Sequence, residues 1–130
     1  MNFQLQYLDH IAIRVRDIEK SAKWYEETLG LKRLKPKEWG AFPIIMLAGN
    51  SGIALFPAKT DNPKHLPKGD YLTAFHFAFR VSNEDFEKVR QHLEKKNIEM
   101  EFQDLIHFKS FFFSDPDNYL VEITTQVKGF

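Results

Sequence analysis

The chain contains no cysteine. Disulfides, thiolate metal ligands and cysteine nucleophiles are excluded together, so any metal ion must be held by nitrogen and oxygen. Nor is there an excess of charge of either sign, because 18 Lys and Arg balance 18 Asp and Glu. The unbalanced basic surface on which nucleic-acid binding draws is missing. Lys32, Arg33, Lys35 and Lys37 come nearest to a basic run, and they fall where a solvated strand edge that discourages aggregation is expected. No apolar run approaches the roughly 18 residues of a membrane helix, and Met1 to Leu8 shows no long apolar stretch with a basic flank. The expectation is a globular cytoplasmic protein with neither nucleic acid nor membrane as partner. Its 130 residues, 43% of them hydrophobic, suffice for one compact domain or two half-domains sharing a core.

What the chain does contain is a repeated strand. Residues 10 to 15 read His-Ile-Ala-Ile-Arg-Val, and residues 76 to 81 read His-Phe-Ala-Phe-Arg-Val. In each copy the apolar residues alternate, so Ile11, Ile13 and Val15, like Phe77, Phe79 and Val81, share one face of a strand while His10 and His76 point the other way. The copies stand 66 positions apart, which makes the chain a duplication of units roughly 60 residues long.

The segments that follow repeat as well. Asp17 is a good helix N-cap, Ile18, Ala22, Tyr25 and Leu29 form an apolar stripe, and Gly30 ends the helix. Ser82 with Asp85 resembles a capping box, Phe86, Val89 and Leu93 form the second stripe, and Asn97 stands where Gly30 stood. Extended segments are expected at 31–38, 41–48 and 52–56 in the first half, and at 98–103, 106–114 and 119–125 in the second. Gly49-Asn50-Ser51-Gly52 and Asp115-Pro116-Asp117-Asn118 supply turns. Each half therefore reads βαβββ: module 1 over about 6–57, a linker at 58–71 rich in proline and charge, and module 2 over about 72–127.

On the last strand Leu120, Glu122 and Thr124 share a face, opposite to Val121 and Ile123 with their helix-packing role. A carboxylate buried there costs several kcal/mol unless something cationic compensates it. Two inward histidines and one inward glutamate form a 2-His-1-carboxylate set, the arrangement that leaves coordination positions open for substrate or water. His10, His76 and Glu122 are the candidate ligands. The plainer alternatives are histidines satisfied in the core or at the surface, and Glu122 paired with Arg14 or Arg80.

Asp9-His10-Ile11-Ala12-Ile13, Trp24-Tyr25, Leu29-Gly30-Leu31, Asp115-Pro116-Asp117 and Glu122 together resemble the vicinal oxygen chelate superfamily. That group includes glyoxalase I, extradiol dioxygenases, fosfomycin-resistance enzymes, methylmalonyl-CoA epimerase and bleomycin-resistance proteins. The resemblance covers nearly the whole chain. It implies an α+β fold of two tandem βαβββ modules curling into a concave mixed sheet, with one divalent ion (Zn, Ni, Mn, Mg or Fe(II)) in the hollow and a homodimer across which the site is often completed. Family members typically carry Gly-Asn in the closing turn, where this chain has Asn118-Tyr119, and asparagine tolerates the left-handed backbone required. By the repeat, the counterpart of Glu122 is near Ala54, where glyoxalase I and the epimerase present a fourth ligand, so the chain resembles the three-ligand members. Fosfomycin enzymes also use three ligands but place a tyrosine before the closing turn and an arginine after the glutamate. This chain offers Phe111, Phe112 and Phe113 before the turn, and only Lys128 as a base after Glu122.

Thirteen phenylalanines bear on the ligand. Phe75, Phe77 and Phe79 are expected in the sheet-to-helix core. Phe56 and Phe112 are candidates to line the hollow, favouring an apolar or aromatic substrate with adjacent oxygens. Arg14 and Arg80 share the parity of the histidines and either meet a substrate carboxylate or bridge to acids at the sheet edge. His65, His92 and His107 have no matched partner and are read as surface or structural. The sequence thus points to a metal-dependent lyase or isomerase, with Glu122 as catalytic carboxylate and a small molecule as substrate. An extradiol-type Fe(II) dioxygenase and a metal-free small-molecule binding protein are the alternatives.

Overall fold

The computed structural model describes residues 2–130. The chain divides into two compact units, one ending at His65 and one running Leu66–Phe130. The first unit contains β1 (His10–Val15), α1 (Ile18–Leu29), β2 (Lys32–Leu34), a short 3₁₀ turn at Lys37–Trp39, β3 (Ile44–Ala48) and β4 (Ser51–Pro57). The second contains β5 (Phe77–Arg80), α2 (Asn83–Lys95), β6 (Glu101–Asp104), β7 (Phe108–Ser114) and β8 (Leu120–Gln126). Each unit forms its own four-stranded mixed sheet, in the orders β1-β4-β3-β2 and β5-β8-β7-β6. The first strand of each runs parallel to the last, and the remaining pairs are antiparallel. These are two tandem βαβββ modules.

The helix ends follow from local chemistry. The Asp17 side chain accepts from the Lys20 backbone N–H at 3.1 Å, and Gly30 closes α1 in the left-handed conformation at φ 67°. Ser82 accepts from the Asp85 N–H at 3.1 Å, and Asn97 takes φ 60° after α2. The buried face of α1 is Ser21, Ala22, Tyr25 and Thr28. Ile18 and Leu29, the two ends of the expected stripe, are half-buried. On the sheet side Ile13, Val15, Ile44, Met46, Ile53 and Leu55 complete the core of this unit. Phe86 and Leu93 of α2 pack in a core with Phe111, Phe113, Val121 and Ile123. Arg33 on the edge strand β2 holds Glu19 and Glu26 of α1 at 2.7 and 2.9 Å. The hydrogen bonds that Arg33 donates to Glu19 and then to Glu26 raise its already high pKa further.

Several strands are shorter than the alternation predicts. β2 stops at Leu34 because Lys35 precedes Pro36, which disfavours continued pairing, and the next residues wind into the 3₁₀ turn. β6 starts only at Glu101, since Ile98 still donates its N–H to Leu93 O in the exit from α2. β5 starts at Phe77, one residue after His76. Phe75 is corrected from a core residue to one that is 75% exposed. The register Phe77↔Val121 would set Phe75 against Tyr119, before β8 begins, so no partner strand holds it to the sheet. Phe77 and Phe79 are half-buried.

Residues 58–76 carry no helix or strand. Two β1-side arginines tie the start of this connector down: Arg14 donates to Pro57 O at 3.1 Å and Arg16 to Pro63 O at 2.9 Å.

Gly52 sits where β3 and β4 approach most closely. A Cβ there would meet Met46 O at 2.2 Å and Leu47 Cα at 3.2 Å, both backbone atoms with little room to yield. Gly52→Ala should therefore destabilise the first unit by ~1–3 kcal/mol in urea unfolding, as overpacking does. Leu93→Ala, which empties a fully buried site on α2, should cost ~2–5 kcal/mol in the same assay.

Candidate functional site

The parallel pairing of β5 and β8 sets Ala78 opposite Glu122, and the antiparallel pairing of β7 sets Phe112 opposite Glu122 on its other side. His76, two residues before Ala78, leans from the mouth of β5 onto the same face. Its Nε2 lies 3.0 Å from Glu122 Oε1. Glu122 is buried, its side chain only 11% exposed, while the His76 side chain is 29% exposed. The partner foreseen for a carboxylate at this position is thus the histidine; Arg80 instead sets its guanidinium carbon 5.1 Å from the Phe108 ring centroid and reaches Gln126 Oε1 at 3.4 Å.

Two aromatic rings flank the imidazole. Phe75 meets it at a steep angle with centroids 4.9 Å apart, and Phe112 stands nearly perpendicular to it at 5.5 Å. A cavity of about 370 Å³ opens beside this group, lined by Phe75, His76, Glu101, Phe102, Gln103, Phe112 and Leu120. Deeper along the same face, the Ser110 hydroxyl donates to Thr124 Oγ1 at 2.8 Å, which satisfies both polar groups under the sheet surface.

The first unit repeats this register with different chemistry. Ala12 stands opposite Ala54, as Ala78 stands opposite Glu122, so the first unit has no carboxylate at the matching place. His10 occupies the place of His76, and its Nδ1 lies 2.7 Å from Asp9 Oδ2. With its proton on Nδ1, the ring donates to the carboxylate and keeps a lone pair on Nε2, the orientation that metal-bound histidines adopt. Arg14 of this unit is engaged with Pro57 O, and Phe56 meets Phe42 edge-on with centroids 6.2 Å apart. Within neither unit do the described residues gather three His, Cys, Asp or Glu side chains at one point.

The donor chemistry of the second unit fits a divalent ion. An imidazole nitrogen and a carboxylate oxygen, the donor types such ions take, stand 3.0 Å apart as His76 Nε2 and Glu122 Oε1. A bound cation would also offset the cost of burying the Glu122 charge. Asp9, Phe75 and Glu101 carry roles that the strand pattern alone does not reveal. For Asp9 the signal is a carboxylate directly before a strand histidine; Phe75 and Glu101 emerge only from where β8 begins and how β6 pairs with β7.

A family profile described as the glyoxalase/bleomycin resistance protein/dioxygenase superfamily matches residues 7–123. Among similar proteins, a glutathione transferase FosA of Serratia marcescens is 31% identical over 121 residues, covering 92% of this chain and 80% of that protein. A metallothiol transferase FosB of Staphylococcus saprophyticus is 29% identical over 125 residues, covering 93% and 78%. Among solved structures, a glyoxalase/dioxygenase from Nostoc punctiforme superposes with a TM-score of 0.77 at 21% identity, covering 98% of this chain and 99% of that one. With its paired βαβββ modules and a match over most of its length, the chain belongs to the glyoxalase/bleomycin resistance protein/dioxygenase superfamily.

Proposed function

We propose that the protein is a divalent-metal-dependent enzyme acting on a small, apolar or aromatic substrate with adjacent oxygens, through lyase or isomerase chemistry. The observation that carries this reading is the pairing of His76 with the buried Glu122, their donor atoms 3.0 Å apart at the mouth of an aromatic cavity. His76, Glu122 and His10 are the ligands. When bound, a divalent ion supplies Lewis-acid polarisation to a pair of chelated oxygens. The Phe75 and Phe112 rings flank the His76 ring. Asp9 holds the His10 ring by its Nδ1. Ala54 leaves no second carboxylate to shuttle a proton, so Glu122 serves as the catalytic carboxylate by gripping the reacting centre. The set of two imidazoles and one carboxylate accommodates Zn, Ni, Mn, Mg or Fe(II), and the last would extend the chemistry to dioxygenation.

The working form is placed as a cytoplasmic homodimer. Each sheet ends on β1 or β5, an edge whose backbone another module can cover, so exchange of modules between two copies offers a route to a closed site.

Thiol transfer, with fosfomycin as the acceptor to test, is the second reading, and the names of the glutathione transferase FosA and metallothiol transferase FosB relatives favour the transfer of a thiol. Against it stands the lining of the His76 cavity, which includes no Lys or Arg to meet a phosphonate.

Purified without chelators, the protein should bind about one equivalent of divalent ion per chain and gain about 2.7 kcal/mol of stability at a hundredfold excess over Kd. Glu122→Gln and His76→Ala should each abolish uptake and the gain while retaining the fold by circular dichroism. Uptake below about 0.1 equivalent in the wild type would reject the enzyme reading and favour metal-free binding. Consumption of fosfomycin with glutathione or another thiol is expected to stay at background in the metal-loaded protein. Turnover dependent on Glu122 would replace the first reading by the second.

A further inference from the structure

The walls of the His76 cavity also say which kind of molecule they suit. Two phenyl rings, those of Phe75 and Phe112, stand on it with Leu120, while Glu101 and Gln103 supply the polar side and Phe102 borders it with its ring turned to Phe111. A second hollow of about 500 Å³ continues from it, sharing Glu101, Phe112 and Leu120 and adding Glu99. The only charged side chains lining either hollow, apart from His76 if protonated, are these glutamates. Elsewhere on the same unit glutamates are matched by neighbours: Lys88 pairs with Glu84, and Arg90 with Glu87 and Glu94. Among the described residues no Lys or Arg nitrogen is paired with Glu101 in this way.

A pocket of aromatic faces with an uncompensated carboxylate attracts cations twice over, through the ring quadrupoles and through the negative potential of its wall. We propose that this hollow receives the cationic end of an aromatic organic ammonium, with its charge at Glu101 and its ring between Phe75 and Phe112. The inference deepens the proposed function, resting on His76 and Glu122 as the reacting centre: chelating oxygens at that centre and an ammonium at Glu101 would sit at opposite ends of one substrate. The cavity then acts as a charge filter as well as a shape filter, turning away anionic ligands such as phosphonates.

Three probes of one size test this on the full chain by calorimetry or ligand-observed NMR, with and without added Mn²⁺: benzylammonium, benzyl alcohol and benzylphosphonate. Benzylammonium should bind about tenfold more tightly than the neutral or anionic probe, and the margin should shrink as salt rises. Glu101→Gln should remove the preference while leaving metal uptake unchanged, and Gln103→Glu should increase it. Equal or tighter binding of benzylphosphonate, a preference that survives Glu101→Gln, or no binding of any probe would overturn the proposal. Loss of metal uptake with the ammonium preference intact would reject the metal reading and leave this one standing.

Discussion

A buried carboxylate sits on β8 between Val121 and Ile123, on the face of the sheet opposite to theirs. Its ionised form is tolerable only with a partner, and the fold brings His76 Nε2 to 3.0 Å of it. Much of the surrounding structure serves that meeting. The parallel pairing of β5 with β8 sets their relative register, α2 packs on the opposite face through Phe86 and Leu93, and the Phe75 and Phe112 rings flank the imidazole. A buried carboxylate held by a single neighbour contributes little net stability compared with an apolar replacement.

Duplication explains both the symmetry and its breaking. The two modules share strand order, helix caps and register, so His10 and His76 stand in equivalent places. At the next equivalent place the modules part: Glu122 in one, Ala54 in the other. The second module carries the buried carboxylate, and in the first the imidazole of His10 meets Asp9.

The helix caps at Asp17, Gly30, Ser82 and Asn97 were legible in the sequence because each depends on a few neighbouring residues. The opposed faces of β8 were legible too, since period-2 alternation decides them: Val121 and Ile123 are core residues and Glu122 lies across from them. Strand ends were harder to read. Pro36 ended β2 early, and the exit from α2 consumed residues 98–100. Phe75 shows why: its place depends on where β8 starts, some 45 residues later in the chain, and no local pattern carries that information. Glu101 was hidden for the same reason, because its part in the cavity comes from pairing with Phe112 across β6 and β7. His107, read as structural, stacks on Phe130 with ring centroids 4.7 Å apart.

The central claim is that His76 and Glu122, with His10, are ligands of one ion rather than the two halves of a salt bridge. X-ray absorption on the cobalt-loaded protein tests it most directly. The account predicts a first shell containing two imidazole nitrogens and a carboxylate oxygen at about 2.0–2.2 Å, reduced to one imidazole in His10→Ala. A shell without imidazole scattering, or one unchanged by loss of Glu122, would contradict it.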